Sequence, residues 1–164
     1  MIQSITDPSL KLTIHRCTGP VAISEIAEVI EKFYQSIPTL NVLWDLSRAD
    51  VSAIRSGEIE ALARAVGQSS HSREGGKNAI LSPNDVSFGL SRIYQSFAEM
   101  KLQITRTRVF RDEEGALEWI RSSSDPYWKP DSEILNDLIR CSHARCQSYS
   151  PPGVSRRPIR TDQA

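Results

Sequence analysis

The chain has 164 residues, of which 39% are hydrophobic and 24% are charged, a composition typical of a globular protein. This length favours one domain with a hydrophobic core of its own. Twenty basic and twenty acidic side chains give a formal net charge of zero, which argues against a nucleic acid or an anionic membrane surface as the partner.

The cysteines and the apolar segments indicate where the protein resides. Cys17, Cys141 and Cys146 form an odd and sparse set without the spacing of a secreted disulfide scaffold, which favours a reducing compartment. The first residues contain no basic segment followed by an apolar run, and no stretch approaches the ~20 apolar residues that span a membrane. We therefore expect a soluble cytoplasmic protein that is not exported.

The first forty residues predict an antiparallel hairpin followed by a helix. Residues 10–17 alternate between apolar and polar side chains, which is typical of a half-buried strand, and residues 2–6 are expected to pair with them. Gly19-Pro20 is expected to end the second strand. From Ile23, apolar side chains recur on one face of a helix that Pro38 ends.

A strand, a polar loop and a helix follow over residues 41–66. Residues 42–46 are short, apolar and bounded by turn formers, so they predict a buried strand that ends near Asp45. The loop 47–55 leads to Ser56, which is expected to be the N-cap of the next helix. Because ligands and partners of an open α/β sheet bind beyond the carboxyl ends of its strands, the segment from Asp45 to Gly57 is the first candidate for a site.

The remaining segments continue the alternation of strands and helices. Residues 68–76 predict a polar surface loop, 78–81 a buried strand, and Ser82 the cap of a helix that buries Val86 among other apolar residues. Residues 103–110 predict a strand, and Asp112 the cap of a short helix. The order predicts an α/β domain over residues 1–121 with a mixed, mostly parallel sheet of about five strands and crossover helices.

Three further segments complete the predicted organisation. Residues 122–130 are a proline-containing linker, 131–142 an additional amphipathic helix and 143–164 a disordered tail. The amphipathic helix is expected to pack on the domain or on a second copy of the chain, so that a homodimer is one of the alternatives.

Several short motifs, in this order along residues 10–121, carry a resemblance to a known family. They are Thr18-Gly19, Val42-Leu43-Trp44-Asp45-Leu46, Lys77-Asn78-Ala79-Ile80, Phe88-Gly89-Leu90-Ser91-Arg92-Ile93-Tyr94, Val109-Phe110-Arg111-Asp112 and Ala116-Leu117-Glu118-Trp119-Ile120. In these motifs the chain resembles the SpoIIAA-like family of STAS/SEC14-type domains, fold relatives of the bacterial anti-sigma-factor antagonists. The resemblance implies a small α/β domain that is usually without an assigned activity.

The resemblance also implies two kinds of binding. In the antagonists, a partner kinase phosphorylates a Ser in an Asp-Ser-Ser-Gly-like turn at the start of the second helix. Here the turn reads Ile54-Arg55-Ser56-Gly57, so Ser56 matches the Ser beside the Gly while Arg55 stands where the acceptor normally lies. SEC14-type relatives bind lipid-like molecules, which implies an apolar ligand as the alternative.

Each candidate residue has a structural alternative. Ser56 is a phosphoacceptor or a plain helix cap. Asp45 is a functional acid or a hydrogen-bond acceptor for backbone N–H groups of the loop. Arg92 either binds an anionic group or packs along its helix. The residues expected around an apolar ligand are Phe88, Arg92, Tyr94 and Phe97.

No catalytic or metal-binding constellation stands out. Cys141, His143 and Cys146 supply three metal ligands where a closed zinc site needs four, so we expect neither a metal nor a cofactor. The sequence therefore predicts a non-enzymatic regulatory module that binds a protein partner through the Asp45–Gly57 loop and the second helix. The alternative is a carrier or sensor of a small apolar or lipid-like ligand.

Overall fold

A five-stranded sheet with the spatial order β1-β2-β3-β4-β5 organises the domain. The strands are β1 (Ile2–Asp7), β2 (Leu12–Pro20), β3 (Asn41–Asp50), β4 (Lys77–Leu81) and β5 (Arg106–Phe110). β1 and β2 form the predicted antiparallel hairpin, and the pairs from β2 to β5 are parallel. The predicted α/β fold class with its mixed, mostly parallel sheet is confirmed.

The computed structural model describes residues 1–100 and 105–122. The chain divides into two units, Met1–Lys129 and Pro130–Ala164, and every described residue belongs to the first. The first two residues of the predicted strand 103–110 lie outside the described residues. So do most of the predicted linker, the predicted helix 131–142 and the predicted tail 143–164.

Helices cover the two faces of the sheet unequally. They are α1 (Ile23–Gln35), α2 (Ser56–Ser69), α3 (Asp85–Met100) and α4 (Glu113–Arg121), with a short 3-10 turn at Ser70–Arg73. The first three connect neighbouring parallel strands in one direction, and right-handed crossovers then put them on the same face. Trp44 faces this layer, whereas Lys77 faces the opposite side and reaches the backbone of α4.

The middle strand is longer than the sequence predicted. β3 continues past Asp45 to Asp50, and β2 continues through Gly19 to Pro20, which lies opposite Asp50. Gly19 adopts a φ of 67°, and the register of β2 against β3 shifts between Arg16 and Thr18. The glycine and the register shift allow β2 to pair as far as Pro20, where it ends as predicted. The expectation that β3 ends near Asp45 is wrong, because β3 continues to Asp50.

The predicted cap of α3 is also wrong, whereas that of α4 is right. α3 begins at Asp85, where the side-chain oxygen of Asn84 accepts from the N–H of Ser87, so Ser82 is not its cap. Ser82 is instead buried, and its Oγ lies 2.9 Å from Oγ of Ser91. The predicted cap of α4 is confirmed, because the Asp112 carboxylate accepts from the N–H of Gly115 at 2.7 Å.

The side chains that α3 buries are small. Its buried side chains are Ser87, Ser91 and Ala98, whereas Val86 is 57% exposed, contrary to the predicted apolar face. Short side chains allow a helix axis to approach the strands more closely than leucine or phenylalanine would.

One glycine is fixed by a close approach of backbone. A Cβ on Gly76 would overlap the carbonyl oxygen of Leu40 and lie 2.9 Å from the carbonyl oxygen of Arg73. The chain therefore enters β4 through a space that admits no side chain.

Candidate functional site

The first turns of three helices lie at one end of the sheet. β2, β3 and β4 are parallel, and α1, α2 and α3 begin shortly after their carboxyl ends. We call this end the carboxyl rim and define it by the loops 21–22, 51–55 and 82–84. It is the edge at which open α/β sheets usually bind ligands and partners.

In the loop 51–55 at the carboxyl rim, Ser52, Ala53 and Arg55 are exposed, whereas Val51 is buried and Ile54 is half-buried. Hydrogen bonds hold the backbone of this loop. Oδ1 of Asp50 accepts from both the N–H and the hydroxyl of Ser52, at 3.0 and 2.7 Å. The N–H of Ile54 donates to the carbonyl oxygen of Val51, and the N–H of Val21 donates to the carbonyl oxygen of Asp50. Ser52 and Arg55 are thus exposed to solvent in a loop whose backbone is held by hydrogen bonds.

Ser56 is not the cap of α2, contrary to the sequence prediction. The helix begins at Ser56, and Arg55 occupies the N-cap position with extended backbone angles. The N–H of Arg55 donates to the carboxylate of Glu58 at 2.8 Å, which supplies the side-chain half of the cap. Ser56 and Gly57 are both exposed in the first turn, where the positive end of the helix dipole favours negative charge.

Asp45 lies inside β3 on the sheet face opposite α1, α2 and α3. Its carboxylate accepts from Nε of Arg16 and from the N–H and hydroxyl of Ser47. Burial alone would raise the pKa of Asp45, but the hydrogen bonds from Ser47 and Arg16 hold it below its usual value. Asp45 is buried and several residues short of the carboxyl rim, so the expectation that it shares a rim with Ser56 is wrong.

An apolar cavity opens beside the loop 51–55. Its volume is about 90 Å³, and it lies among β3, β4 and the three helices of the same face. Ile26 comes from α1, Trp44 and Leu46 from β3, Ile54 from the loop, and Leu90 from α3. We call this space the apolar cavity. α1 lines the cavity with Ile23, Ile26 and Ile30, and none of its residues is fully buried.

Only one of the four residues predicted around an apolar ligand lines this cavity. Tyr94 does so, but Phe88, Arg92 and Phe97 do not. Phe88 lies beneath the guanidinium of Arg111 at 4.1 Å from the ring centroid, and Arg92 is exposed and donates to Gln95. The ligand space predicted between α3 and the sheet therefore lies beside Tyr94 and away from Phe88, Arg92 and Phe97.

A smaller polar cavity adjoins the apolar one. Its volume is about 30 Å³, and His15, Tyr34, Arg73 and Asn78 contribute its polar lining. We call it the polar cavity. Four residues line both spaces, which makes the two cavities neighbours separated by shared side chains; these are Ile30, Trp44, Ile80 and Tyr94.

His15 is a buried and electrically neutral member of the polar cavity. Its Nδ1 lies 2.8 Å from Oγ of Ser4, and its ring lies 4.4 Å from that of Trp44 between centroids. Burial, followed by the positive charge of Arg73, lowers the pKa of His15 to about 4. The imidazole is therefore neutral near pH 7.

No sequence pattern indicates that His15 and Arg73 are buried. Arg73 falls in the segment 68–76, which predicted a surface loop, yet this side chain is 3% exposed. His15 falls on the polar side of the half-buried strand that residues 10–17 predict, yet it is 2% exposed. The acceptors of Arg73 come mainly from distant segments, so no local pattern could have identified it.

The described residues contain no metal cluster and no membrane span. Within residues 1–100 and 105–122, no group of three or more His, Cys, Asp or Glu side chains could hold a metal ion. No helix in the same part of the chain is both long enough and apolar enough to cross a bilayer. Cys141, His143 and Cys146 lie outside the described residues.

Comparison with known proteins finds similar solved structures but no matching family model and no matching curated sequence. The chain is similar to the anti-sigma factor antagonist SpoIIAA in its unphosphorylated form, with 14% identity and a TM-score of 0.46 over 75% of this chain and 100% of that chain. It is also similar to the Bacillus cell fate determinant SpoIIAA in the phosphorylated form, with 14% identity and a TM-score of 0.43 over 74% and 100% of the two chains. At this identity the likeness concerns the fold alone.

Proposed function

We propose that this chain is a non-enzymatic, cytoplasmic regulatory module that binds a protein partner through the loop 51–55 and the first turn of α2. The observation that supports the proposal is that Ser52 and Arg55 are exposed in a loop whose backbone is held by hydrogen bonds. A loop already held in one conformation loses little conformational entropy when a partner binds, so more of the contact energy contributes to affinity. Asp45 is excluded from the contact surface because it is buried.

Ser56 gives this surface a place for regulation. Its side chain is exposed at the start of α2, and it matches the Ser beside Gly in the turn of the resembling antagonists. A phosphate there would bring about two negative charges to the positive end of the helix dipole and would alter the surface offered to a partner. Phosphorylation of Ser56 is thus the form of regulation that we propose.

Site-specific photo-crosslinking tests the docking surface. A photoreactive amino acid replaces Ser52 in the loop, and a matched variant carries it at Gln35, which is exposed at the carboxyl end of α1. We expect a crosslinked protein with the Ser52 variant and none with the Gln35 variant. Crosslinking to the same protein from position 35 but not from position 52 would reject the docking surface.

A second candidate function is the binding of a small apolar molecule. The apolar cavity supports it, because this space adjoins the loop 51–55 through Ile54 and is lined largely by aliphatic side chains. Its volume of about 90 Å³ is below the ~300–1,000 Å³ of pockets for drug-sized ligands. The ligand would therefore be a compound of a few carbon atoms and not a full acyl lipid.

An NMR titration with 3-methylbutanol tests this second function. We expect shifts of methyl resonances from Leu46, Ile54 and Leu90. Replacing Leu62, which also lines the cavity, by tryptophan should abolish these shifts, whereas Ala61→Trp on the exposed side of α2 should preserve them. Equal shifts in both variants would place the alcohol outside the cavity and reject this function.

A further inference from the structure

Arg73 is a buried cation whose described acceptors are all uncharged. Every N–H group of its guanidinium donates a hydrogen bond within the described residues. The acceptors are the carbonyl oxygens of Thr39, Leu40 and Lys77, Oδ1 of Asn78 and the hydroxyl of Tyr34, at 2.8 to 3.3 Å. Among residues 1–100 and 105–122, no carboxylate forms an ion pair with it.

A buried charge of this kind favours an anion beside it. Neutral acceptors satisfy the directional hydrogen bonds of a guanidinium, but they leave its net charge uncompensated in a medium of low dielectric constant. The polar cavity borders this charge, and its volume of about 30 Å³ corresponds to about two water molecules. An anionic group in that space would supply the missing compensation.

Two further side chains around the polar cavity have protons to donate. The Tyr34 hydroxyl accepts from Nη1 of Arg73 at 3.3 Å, which leaves its own proton for another acceptor. If the Ser4 hydroxyl donates to Nδ1 of His15, the neutral ring carries its proton on Nε2, where it can donate to an acceptor in the polar cavity. One positive charge and two donors therefore border the same small space.

The volume of the apolar cavity limits the size of the hydrocarbon part of a ligand whose anionic group lies in the polar cavity. Its volume of about 90 Å³ is smaller than an apolar cavity of ~150 Å³ that holds benzene, so it suits a branched chain of about four carbon atoms. Ile30, Trp44, Ile80 and Tyr94 line both spaces, so rotation of shared side chains can join them.

We propose that the two cavities together bind a small branched aliphatic carboxylate, with its hydrocarbon part in the apolar cavity and its carboxylate beside Arg73, Tyr34 and His15. This inference rests on the second candidate function and adds the charge of the ligand to it. Bound there, the acid lies beneath Ile54 and so touches the loop that we assign to the protein partner.

Calorimetry and NMR with the full chain at pH 7 test the inference with 3-methylbutanoate and its neutral analogue 3-methylbutanamide. The two compounds share their hydrocarbon part and differ in charge. We expect the acid to bind at least tenfold more tightly than the amide. We also expect the acid, and not the amide, to raise the pKa of His15 from its low value, because a nearby anion favours the imidazolium.

Tyr34→Phe is the matched variant, because it removes one donor and leaves the ring in place. It should weaken binding of the acid at least fivefold and leave binding of the amide unchanged. Retention of full acid affinity in this variant, with shifts mapping to the exposed Arg106 and Arg108, would overturn the proposed site.

Two other outcomes separate this inference from the function on which it rests. Equal affinity for the acid and the amide, with shifts at the cavity residues, would overturn the inference about charge and leave the apolar ligand site standing. Binding of neither compound, with only water in the polar cavity, would overturn the inference, and a negative titration with 3-methylbutanol would then reject the ligand function as well.

Discussion

Arg16 and Asp45 form an ion pair across β2 and β3, with Nε and Oδ2 2.8 Å apart and the two side chains only 9% and 8% exposed. The pair lies on the sheet face opposite the two cavities, and it joins the strand of the N-terminal hairpin to the middle strand of the sheet. Asp45 therefore stabilises the sheet from within.

Removing one member of this pair should destabilise the fold strongly. Asp45→Ala leaves the Arg16 guanidinium buried without its counter-charge, so we expect a loss of about 3–5 kcal/mol in the free energy of unfolding. The double variant Arg16→Met with Asp45→Leu should lose clearly less, because neither charge then remains. Urea unfolding at pH 7 measures both, and equal losses for the single and double variants would contradict the assigned role.

Stability should fall with acidification because of His15. Its pKa is about 4 in the folded chain against 6.5 as the ordinary value, so the unfolded chain binds the extra proton between these two pH values. The low pKa of His15 contributes on the order of 3 kcal/mol to the free energy of unfolding. This contribution is complete above about pH 6.5 and is lost as the pH falls towards 4. Urea unfolding measured from pH 7 to pH 4 should show this fall, and His15→Phe should reduce it. An unchanged slope in that variant would exclude His15 as the cause.

The start of α2 should respond to Glu58 and not to Ser56. Glu58→Ala removes the acceptor for the N–H of Arg55, and loss of a cap costs about 1 kcal/mol. Ser56→Ala should change stability by less than about 0.5 kcal/mol, since Ser56 is an exposed first-turn residue without the capping role. Thermal unfolding of the two variants compares them directly. A larger effect of Ser56→Ala would restore Ser56 as the cap.

Lys77 should hold the carboxyl end of α4. Its ammonium donates to the carbonyl oxygen of Trp119 at 2.7 Å and to the carbonyl oxygen of Ser122. Lys77→Met keeps much of the side-chain volume but leaves these carbonyl groups without their donor, at a cost of about 1–3 kcal/mol. Hydrogen exchange should show faster opening of α4 with little change in α2, whereas uniform acceleration across both helices would indicate a general loss of packing.

Periodicity predicted the elements whose stabilising contacts are local. The apolar stripe of α1, the N-terminal hairpin and the Asp112 cap of α4 follow from residues close together in the sequence, and the structure has all three. The sequence pattern predicts β3 too short, because the last residues of β3 are held by pairing with those of β2. That pairing joins Pro20 to Asp50, which are thirty positions apart in the chain.

The candidate site was predicted only in part for the same reason. The loop before α2 follows from the alternation of strands and helices, but the cavities depend on how three helices share one face of the sheet. Tyr94 was the one predicted ligand residue that lines them. Arg73 and His15 owe their positions to acceptors and rings on other segments, which no spacing rule relates to them.

The bare backbone at Gly76 leaves room for the Leu40 carbonyl, and this same oxygen accepts from Nη2 of Arg73 at 2.9 Å. Even the methyl group of alanine at position 76 would push that oxygen away and, with it, the cation that borders the polar cavity. The absence of a side chain at one position thus governs the electrostatics of a space formed by other residues.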